Sequence, residues 1–336
     1  VVAEARRVVE AAVTAGLADV EFTAFPHGAD HYLATGETLS ERTFARLRDE
    51  FDAILFGAVG DARVPDDRHA RDLLLGLRFR LDLFVNLRPL KLRASDLSPL
   101  RRAGRAPIDF VIFRENTEGM YGGHGRLERE GTEDEVAISE AIASRRAVSR
   151  IVRAAFEHAR ARGTRVTLAD KANAVPHMYG LWRRVFGEIA LEYADVPTET
   201  RYVDALAMEL VRVPERFGVI VTENLLGDIL SDLGAELIGG PGLAPSANLH
   251  PGRHALYEPV HGSAPELAGT GRANPMAAVL SAALMLRDAR CVAAADRIEA
   301  AVDLALREGV RTPDLGGSDS TSDVGGWLAR RVRDGE

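Results

Sequence analysis

The sequence predicts an α/β protein built around a largely parallel sheet. Short apolar runs with strand character recur along the chain and end in polar residues: 52–61, 108–116, 165–173, 200–208 and 217–224. Between them lie Ala/Arg/Glu-rich stretches of helical periodicity, notably 139–162 and 177–194. Strands alternating with helices in this way point to parallel pairing. In such sheets ligands collect beyond the carboxyl ends of the strands. Arg114, Lys171, Asp204, Asn224 and Asp228 stand at or just past those ends and are the first candidates for function.

Composition narrows the function classes. A chain of 336 residues with 46% apolar and 27% charged residues has the make-up of a soluble globular protein with a sizeable core. Its net charge of -8 lacks the basic footprint expected of nucleic-acid binding. The longest apolar runs, such as PMAAVLSAALML, fall short of a membrane span. Cys291 is the lone cysteine, which excludes an internal disulfide and a thiolate metal cluster. A cytoplasmic location is the expectation. The opening VVAEARRVVEAAV reads as the middle of a helical region, so a preceding segment is expected to be missing from the sequence.

All but two of the 42 Lys and Arg residues are Arg, the exceptions being Lys91 and Lys171. Lysine can surrender its proton when its surroundings lower its pKa, whereas arginine does not. Lys171, in DKAN at a strand end, is therefore a candidate general base, set against the ordinary reading of a salt-bridging lysine. Lys91 reads as a chance survivor.

Three further groups carry possible chemistry. Asp228 and Asp232 are one helical turn apart in GDILSD, where like charges weaken an isolated helix. With Asp204 they would suit a hard divalent cation such as Mg²⁺, although such a pair is more often solvated surface. Ile229, Leu230, Leu233 and Leu237 are expected to give this helix a buried face. Arg78, Arg88 and Arg114 offer forks that match carboxylates bidentately. Tyr121, in EGMYGG, is either a core tyrosine or a proton donor, and His261 alone reads as a structural histidine. No G-x-G-x-x-G is present, so the chain lacks a Rossmann fingerprint. The Gly- and Pro-rich stretch 239–252 reads as a crossing between domains.

NLRP, FRENTEGMY, DKAN, YVDALAM, ENLLGDILSDL, EPVHGSAPELAG and TPDLGG occur in the order seen in the β-decarboxylating dehydrogenases. That family includes isopropylmalate, isocitrate, homoisocitrate, tartrate and D-malate dehydrogenases. The resemblance runs from the first residues to about Gly326. It implies a two-domain isopropylmalate/isocitrate dehydrogenase-like fold, distinct from the Rossmann fold. One domain, residues 1–84 plus 240–336, would hold the nucleotide. The other, residues 85–239, would hold substrate and metal, with an arm at about 120–140 clasping a second copy in a homodimer. Family members begin with a strand and a GDGIGPE-like loop directly before the point where this sequence starts.

Site roles follow residue by residue from the same resemblance. Arg78, Arg88 and Arg114 match the residues that grip the malate carboxylates, and Leu74 and Leu75 match those that read the C3 substituent. Asp204, Asp228 and Asp232 match ligands of Mg²⁺ or Mn²⁺, with Asp204 and Lys171 supplied by the neighbouring subunit. Lys171 matches the base for the C2 hydroxyl, and Tyr121 the acid that protonates the enolate. Asn173 and Asn224 match the nicotinamide side of the cofactor pocket. His261, Gly262, Ser263, Ala264 and Asn274 match the adenosine side. Glu266 stands where an acid accepts the ribose hydroxyls and repels a 2′-phosphate, which favours NAD.

The implied reaction is metal-dependent oxidative decarboxylation of a small 2-hydroxy dicarboxylate, with 3-isopropylmalate the leading substrate. Leu74 and Leu75 suit an isopropyl group, whereas Asp72 and Leu74 stand where isocitrate-type enzymes tend to carry Ser and Asn. Arg71 replaces a usual Glu, so tartrate, D-malate or another polar-substituted malate is the alternative. A non-catalytic regulatory subunit is a further alternative, opposed by the presence of Lys171, Tyr121 and all three aspartates.

Overall fold

The computed structural model describes residues 1–64, 68–101 and 107–335. In chain order the elements are α1 (Val2–Thr14), α2 (Ala29–Thr35), α3 (Glu41–Asp49), β1 (Ile54–Leu55), α4 (Arg68–Arg80), β2 (Val85–Lys91) and β3 (Asp109–Glu115). They continue as β4 (Gly125–Glu128), β5 (Val136–Ser139), α5 (Arg145–Arg162), β6 (Val166–Asp170), α6 (Pro176–Glu192), β7 (Thr198–Tyr202) and α7 (Val203–Arg212). The remainder is β8 (Val219–Thr222), α8 (Asn224–Leu237), β9 (Pro245–His250), β10 (His254–Pro259), α9 (Met276–Asp288), α10 (Val292–Glu308) and α11 (Thr321–Asp334).

The chain forms two compact units, Val1–Leu83 with Arg88–Pro107 and Ala235–Glu336, and Phe84–Leu87 with Ile108–Gly234. Residues 85–91 of β2 are thus divided between them, and the segment after it returns to the first unit.

In the second unit the strands run in the order β3-β8-β6-β7, and every pair is parallel. Phe110, Val111, Ile112 and Phe113 of β3 are buried, as are all four residues of β8 and all five of β6. Such continuous apolar runs are what a parallel sheet covered on both faces requires. Helix α5 buries Val148, Ile151, Val152, Ala155, Phe156 and Ala159, a stripe at helical spacing. Ser144 caps it by accepting from the Ala147 amide, and Gly163 ends it at φ 62. On α6, Trp182, Val185, Phe186 and Ile189 are buried, and Phe186 packs 5.4 Å, centroid to centroid, from Phe156. Each such side chain contributes about 1.5–3 kcal/mol of burial. β4 and β5 form a separate antiparallel hairpin within the 120–140 stretch, with Leu127 and Val136 exposed on it.

In the first unit β1 pairs parallel with β10, which pairs antiparallel with β9. The stretch 239–252, expected as a domain crossing, therefore contains a strand whose first four residues are buried. Helix α9 is buried along nearly its whole length and touches α1 and α10 as well as both strands. α1 presents Ala5, Val8, Val9 and Ala12 inward, and α11 presents Val324, Leu328 and Val332. A capping box between Ser320 and Asp323 starts α11.

Two expectations need correction. The run 200–208 is a strand only to Tyr202, and Val203 onward is helix α7, so Asp204 lies in a first helical turn. The strand expected at 52–61 contracts to Ile54–Leu55, whose neighbour among the described strands is β10 alone.

Candidate active site

Because β3, β8, β6 and β7 are parallel, their carboxyl ends share one edge. Register pairs Arg114 with Thr222 and Asp170 with Tyr202. Reading along the edge, the residues at or just beyond the four strand ends are Arg114, Asn224, Lys171 and Asp204. Neighbouring strands lie about 4.8 Å apart, so side chains from adjacent ends can touch.

Two clusters form there. In the first, the Arg114 guanidinium is buried and donates through Nε to Asn224 Oδ1 at 2.8 Å. Its Nη1 is bonded to Asp228, and its Cζ lies 5.4 Å from the centre of the Tyr121 ring. The Tyr121 hydroxyl donates to the other Asp228 oxygen at 2.9 Å. Asn224 Nδ2 in turn donates to the Glu118 carbonyl at 2.9 Å, which fixes the amide's orientation. In the second cluster Lys171 Nζ donates to Asp204 Oδ1 at 2.7 Å. That hydrogen bond, followed by backbone N–H groups, holds the Asp204 carboxyl below its usual range and therefore ionised.

The supports of both clusters were not read from the sequence. Asp170 is fully buried and accepts from Arg183 Nε at 2.7 Å, from Arg183 Nη2 at 3.0 Å and from the Ala172 amide at 2.9 Å. It thereby pins the turn that carries Lys171 and the exposed Asn173. Glu223 accepts from the Leu225 and Leu226 amides, both at 2.9 Å, and caps α8. The buried acids at strand ends in DKAN and TENLL were the available signal. Gly227 permits the close pass of α8 over Arg114, since a Cβ there would meet Arg114 Cβ and Cγ at 2.7 Å.

The burial expected for α8 holds for Leu230 and Leu237, but Ile229 is 59% exposed. It flanks Asp228 on the outward side of the helix, and Asp232 one turn on is exposed too. Tyr121 is half-exposed with a bonded hydroxyl, so it is not a core tyrosine.

In the first unit, Arg78 on α4 is buried and donates through Nη2 to Glu258 Oε1 at 2.9 Å, an oxygen that also accepts from Asn248 Nδ2 at 2.7 Å. Glu258 was missed as the partner that keeps this arginine in place. Arg78 Nε is buried without a partner. Arg88 is buried on β2. Leu74 and Leu75 are half-buried, and Leu74 packs against the core formed by Phe44, Leu77, Leu81, Leu83 and Leu256. Part of its surface thus serves the unit's interior. Arg68 and Arg71 are exposed on the same helix, and Lys91 is exposed at the end of β2.

The loop after β10 holds the remaining candidates. Gly262, Ser263 and Glu266 are exposed. Ala264 has φ +42, a left-handed conformation that costs a non-glycine residue about 1–3 kcal/mol. His261 Nδ1 lies 2.9 Å from the Gly262 carbonyl, and its Nε2 is buried without a partner. Asn274 serves the structure directly, because its Oδ1 accepts from the Met276 amide at 2.9 Å and its Nδ2 donates to Asp314 at 3.1 Å. Asp314, in TPDLGG, was not singled out by its sequence.

The isocitrate/isopropylmalate dehydrogenase model matches residues 1–328. This chain belongs to that family. It is 45% identical over 335 residues to the 3-isopropylmalate dehydrogenase of Streptomyces coelicolor, covering 99% of this chain and 94% of that protein. It is likewise 45% identical to that of Corynebacterium kroppenstedtii, over 94% and 93% of the two chains. The crystal structure of isocitrate dehydrogenase from Methylococcus capsulatus superposes with a TM-score of 0.87 at 35% identity, covering 98% of this chain and 95% of that one. Membership in this dehydrogenase family fits the α/β fold and its mostly parallel strands, and the enzyme reading of the sequence stands.

Proposed function

We propose that the chain catalyses NAD-linked oxidative decarboxylation of a 2-hydroxy dicarboxylate, with 3-isopropylmalate as its substrate and leucine biosynthesis as its setting. The observation that carries the reading is the strand edge, which bears both an arginine–aspartate–tyrosine cluster and a lysine–aspartate pair. The choice of substrate rests on the relatives named above, 3-isopropylmalate dehydrogenases 45% identical to this chain over nearly its whole length.

The donor set suits a hard divalent cation. Asp204, Asp228 and Asp232 supply carboxylate oxygens only, and Asp204 and Asp232 are exposed. These three residues would hold Mg²⁺ or Mn²⁺, which acts as a Lewis acid on the carbonyl formed at C2. The cofactor loop also fits a ligand, since His261 Nε2 is a buried polar atom with no partner among the described residues. NAD, when bound, would supply the hydride acceptor for C2. His261, Gly262, Ser263, Ala264, Glu266 and Asn274 would hold its adenosine side, and Asn173 and Asn224 its nicotinamide side. The unit carrying that loop is the nucleotide-binding domain in this reading, and the other is the substrate domain.

The chain's own residues do the rest. Arg78, Arg88 and Arg114 supply the guanidinium donors for the two carboxylates. Lys171 takes the C2 hydroxyl proton, with Asp204 fixing the position of Nζ. Once CO₂ has left, Tyr121 gives its proton to the enolate carbon, its hydroxyl having been oriented by Asp228. Leu75, with the free part of Leu74, receives the C3 substituent. The enzyme works as a homodimer in which Lys171 and Asp204 serve the partner's site. Exposed apolar residues on α7, α8 and the hairpin, including Met208, Val211, Ile229 and Leu127, support that assembly.

Full-length protein with Mn²⁺ should form NADH fastest with 3-isopropylmalate, ahead of D-malate, tartrate and isocitrate. Exposed Arg68 and Arg71 on α4 favour one second reading, a malate with a polar C3 substituent. Faster turnover of tartrate would select it. No turnover of any of the four by folded protein would end the enzyme reading.

A further inference from the structure

The first unit carries a cluster of metal-ligating side chains that the proposed reaction does not use. His27 precedes α2, His31 lies in its first turn, and Glu37 follows its end. One donor atom from each lies within 4.8 Å of the other two. The His27 and His31 rings are 4.9 Å apart, centre to centre. Gly36 makes this approach possible: its left-handed φ of 73 ends the helix and turns the chain, so that Glu37 returns toward the histidines.

Among the described residues, His27 Nδ1, His27 Nε2 and His31 Nε2 are buried and find no hydrogen-bond partner. Leaving a buried polar atom unpaired costs about 1–3 kcal/mol, so three together in one place ask for a ligand.

We propose that His27, His31 and Glu37 form a binding site for a first-row transition dication of the zinc class. Two imidazoles and a carboxylate are a three-ligand set for tetrahedral zinc with water in the fourth position. Imidazole nitrogen selects zinc, nickel or copper over Mg²⁺, so the site is chemically separate from the aspartates of the strand edge. Zn–N bonds are about 2.0–2.1 Å, so donors sharing one ion stand within about 4.2 Å of each other. Small rotations of side chains from their present spread reach that distance. His27 also lines a cavity of about 970 Å³, through which an ion can arrive. The bound ion ties the segment before α2 to the turn after it.

The test is zinc content per chain after equilibrium dialysis of the full-length protein in excess Mg²⁺, which occupies oxygen-donor sites and spares imidazole ones. The expected result is one zinc per chain, lost in His27→Ala with His31→Ala, and held more weakly in Glu37→Gln. X-ray absorption at the zinc edge of the unaltered protein should show two imidazoles, a reading independent of whether the variants fold. Zinc-free protein under these conditions, unchanged stoichiometry in the double variant, or an oxygen-only shell would each overturn the proposal.

Discussion

At the residue scale, Lys171 shows how two readings of one side chain converge. It is a salt-bridging lysine, bonded to Asp204, and it sits at the strand end where the proposed reaction calls for a base. Because it is half-exposed, Lys171→Met should leave the fold intact. NADH formation should fall by about 10²–10⁴, the usual worth of general acid–base catalysis. A near-normal initial rate in the same spectrophotometric assay would move the base elsewhere. Lys171, Asp204, Asp228 and Arg114 were legible in the sequence because each polar residue interrupts an apolar context. Glu258, Asp170 and Asp314 were not, because an acid that holds an arginine or an asparagine looks like any other acid until its partner is brought beside it.

At the scale of elements, the spacing of α8 over β3 is set by one glycine. Gly227→Ala puts a methyl 2.7 Å from Arg114 Cβ and Cγ. Overpacking costs about 1–3 kcal/mol, against roughly 1 kcal/mol gained from alanine's helix propensity. We expect a lower urea midpoint together with weakened activity. Gly76 in α4 is the contrast, since a Cβ there meets nothing within 4 Å. Gly76→Ala should raise stability by about 0.5–1 kcal/mol in the same titration. Helix α5 supplies a pH dependence. His158 is packed 5.1 Å from the Phe113 ring, and burial, with Arg162 second, lowers its pKa below 6.5. A depressed pKa means the unfolded chain binds the proton more readily. The stability contribution is therefore present above pH 6.5 and lost as pH falls from there through the folded value. His158→Phe should flatten that part of a melting-temperature profile, leaving the slope contributed by other histidines. An unchanged slope would assign the acid sensitivity elsewhere.

For the whole molecule, the proposed dimer follows from surface that a monomer has little reason to expose. Met208 is 64% and Ile229 59% exposed, on the two helices that carry the aspartates proposed to hold the metal. Sedimentation velocity should show a dimer for the unaltered protein. Met208→Asp with Ile229→Asp should give a monomer without NADH formation, because the partner's Lys171 is then absent. An active monomer would place the complete site in one chain.

Periodicity was enough to determine the class of fold and to single out the edge on which the proposed site lies. Helices α5 and α6 and strands β3, β6 and β8 coincide with the runs read from the sequence, since long apolar stripes and buried parallel strands leave a local signature. The motif order was enough to determine the family. Tertiary structure decided what each polar residue does inside that frame. It turned the end of the 200–208 strand into α7, sent Ile229 outward and gave Asn274 a helix to cap. It also brought His27, His31 and Glu37 together across a turn. Hydrogen bonds and donor clusters depend on distances between residues far apart in the chain, and hydrophobic periodicity carries no record of them.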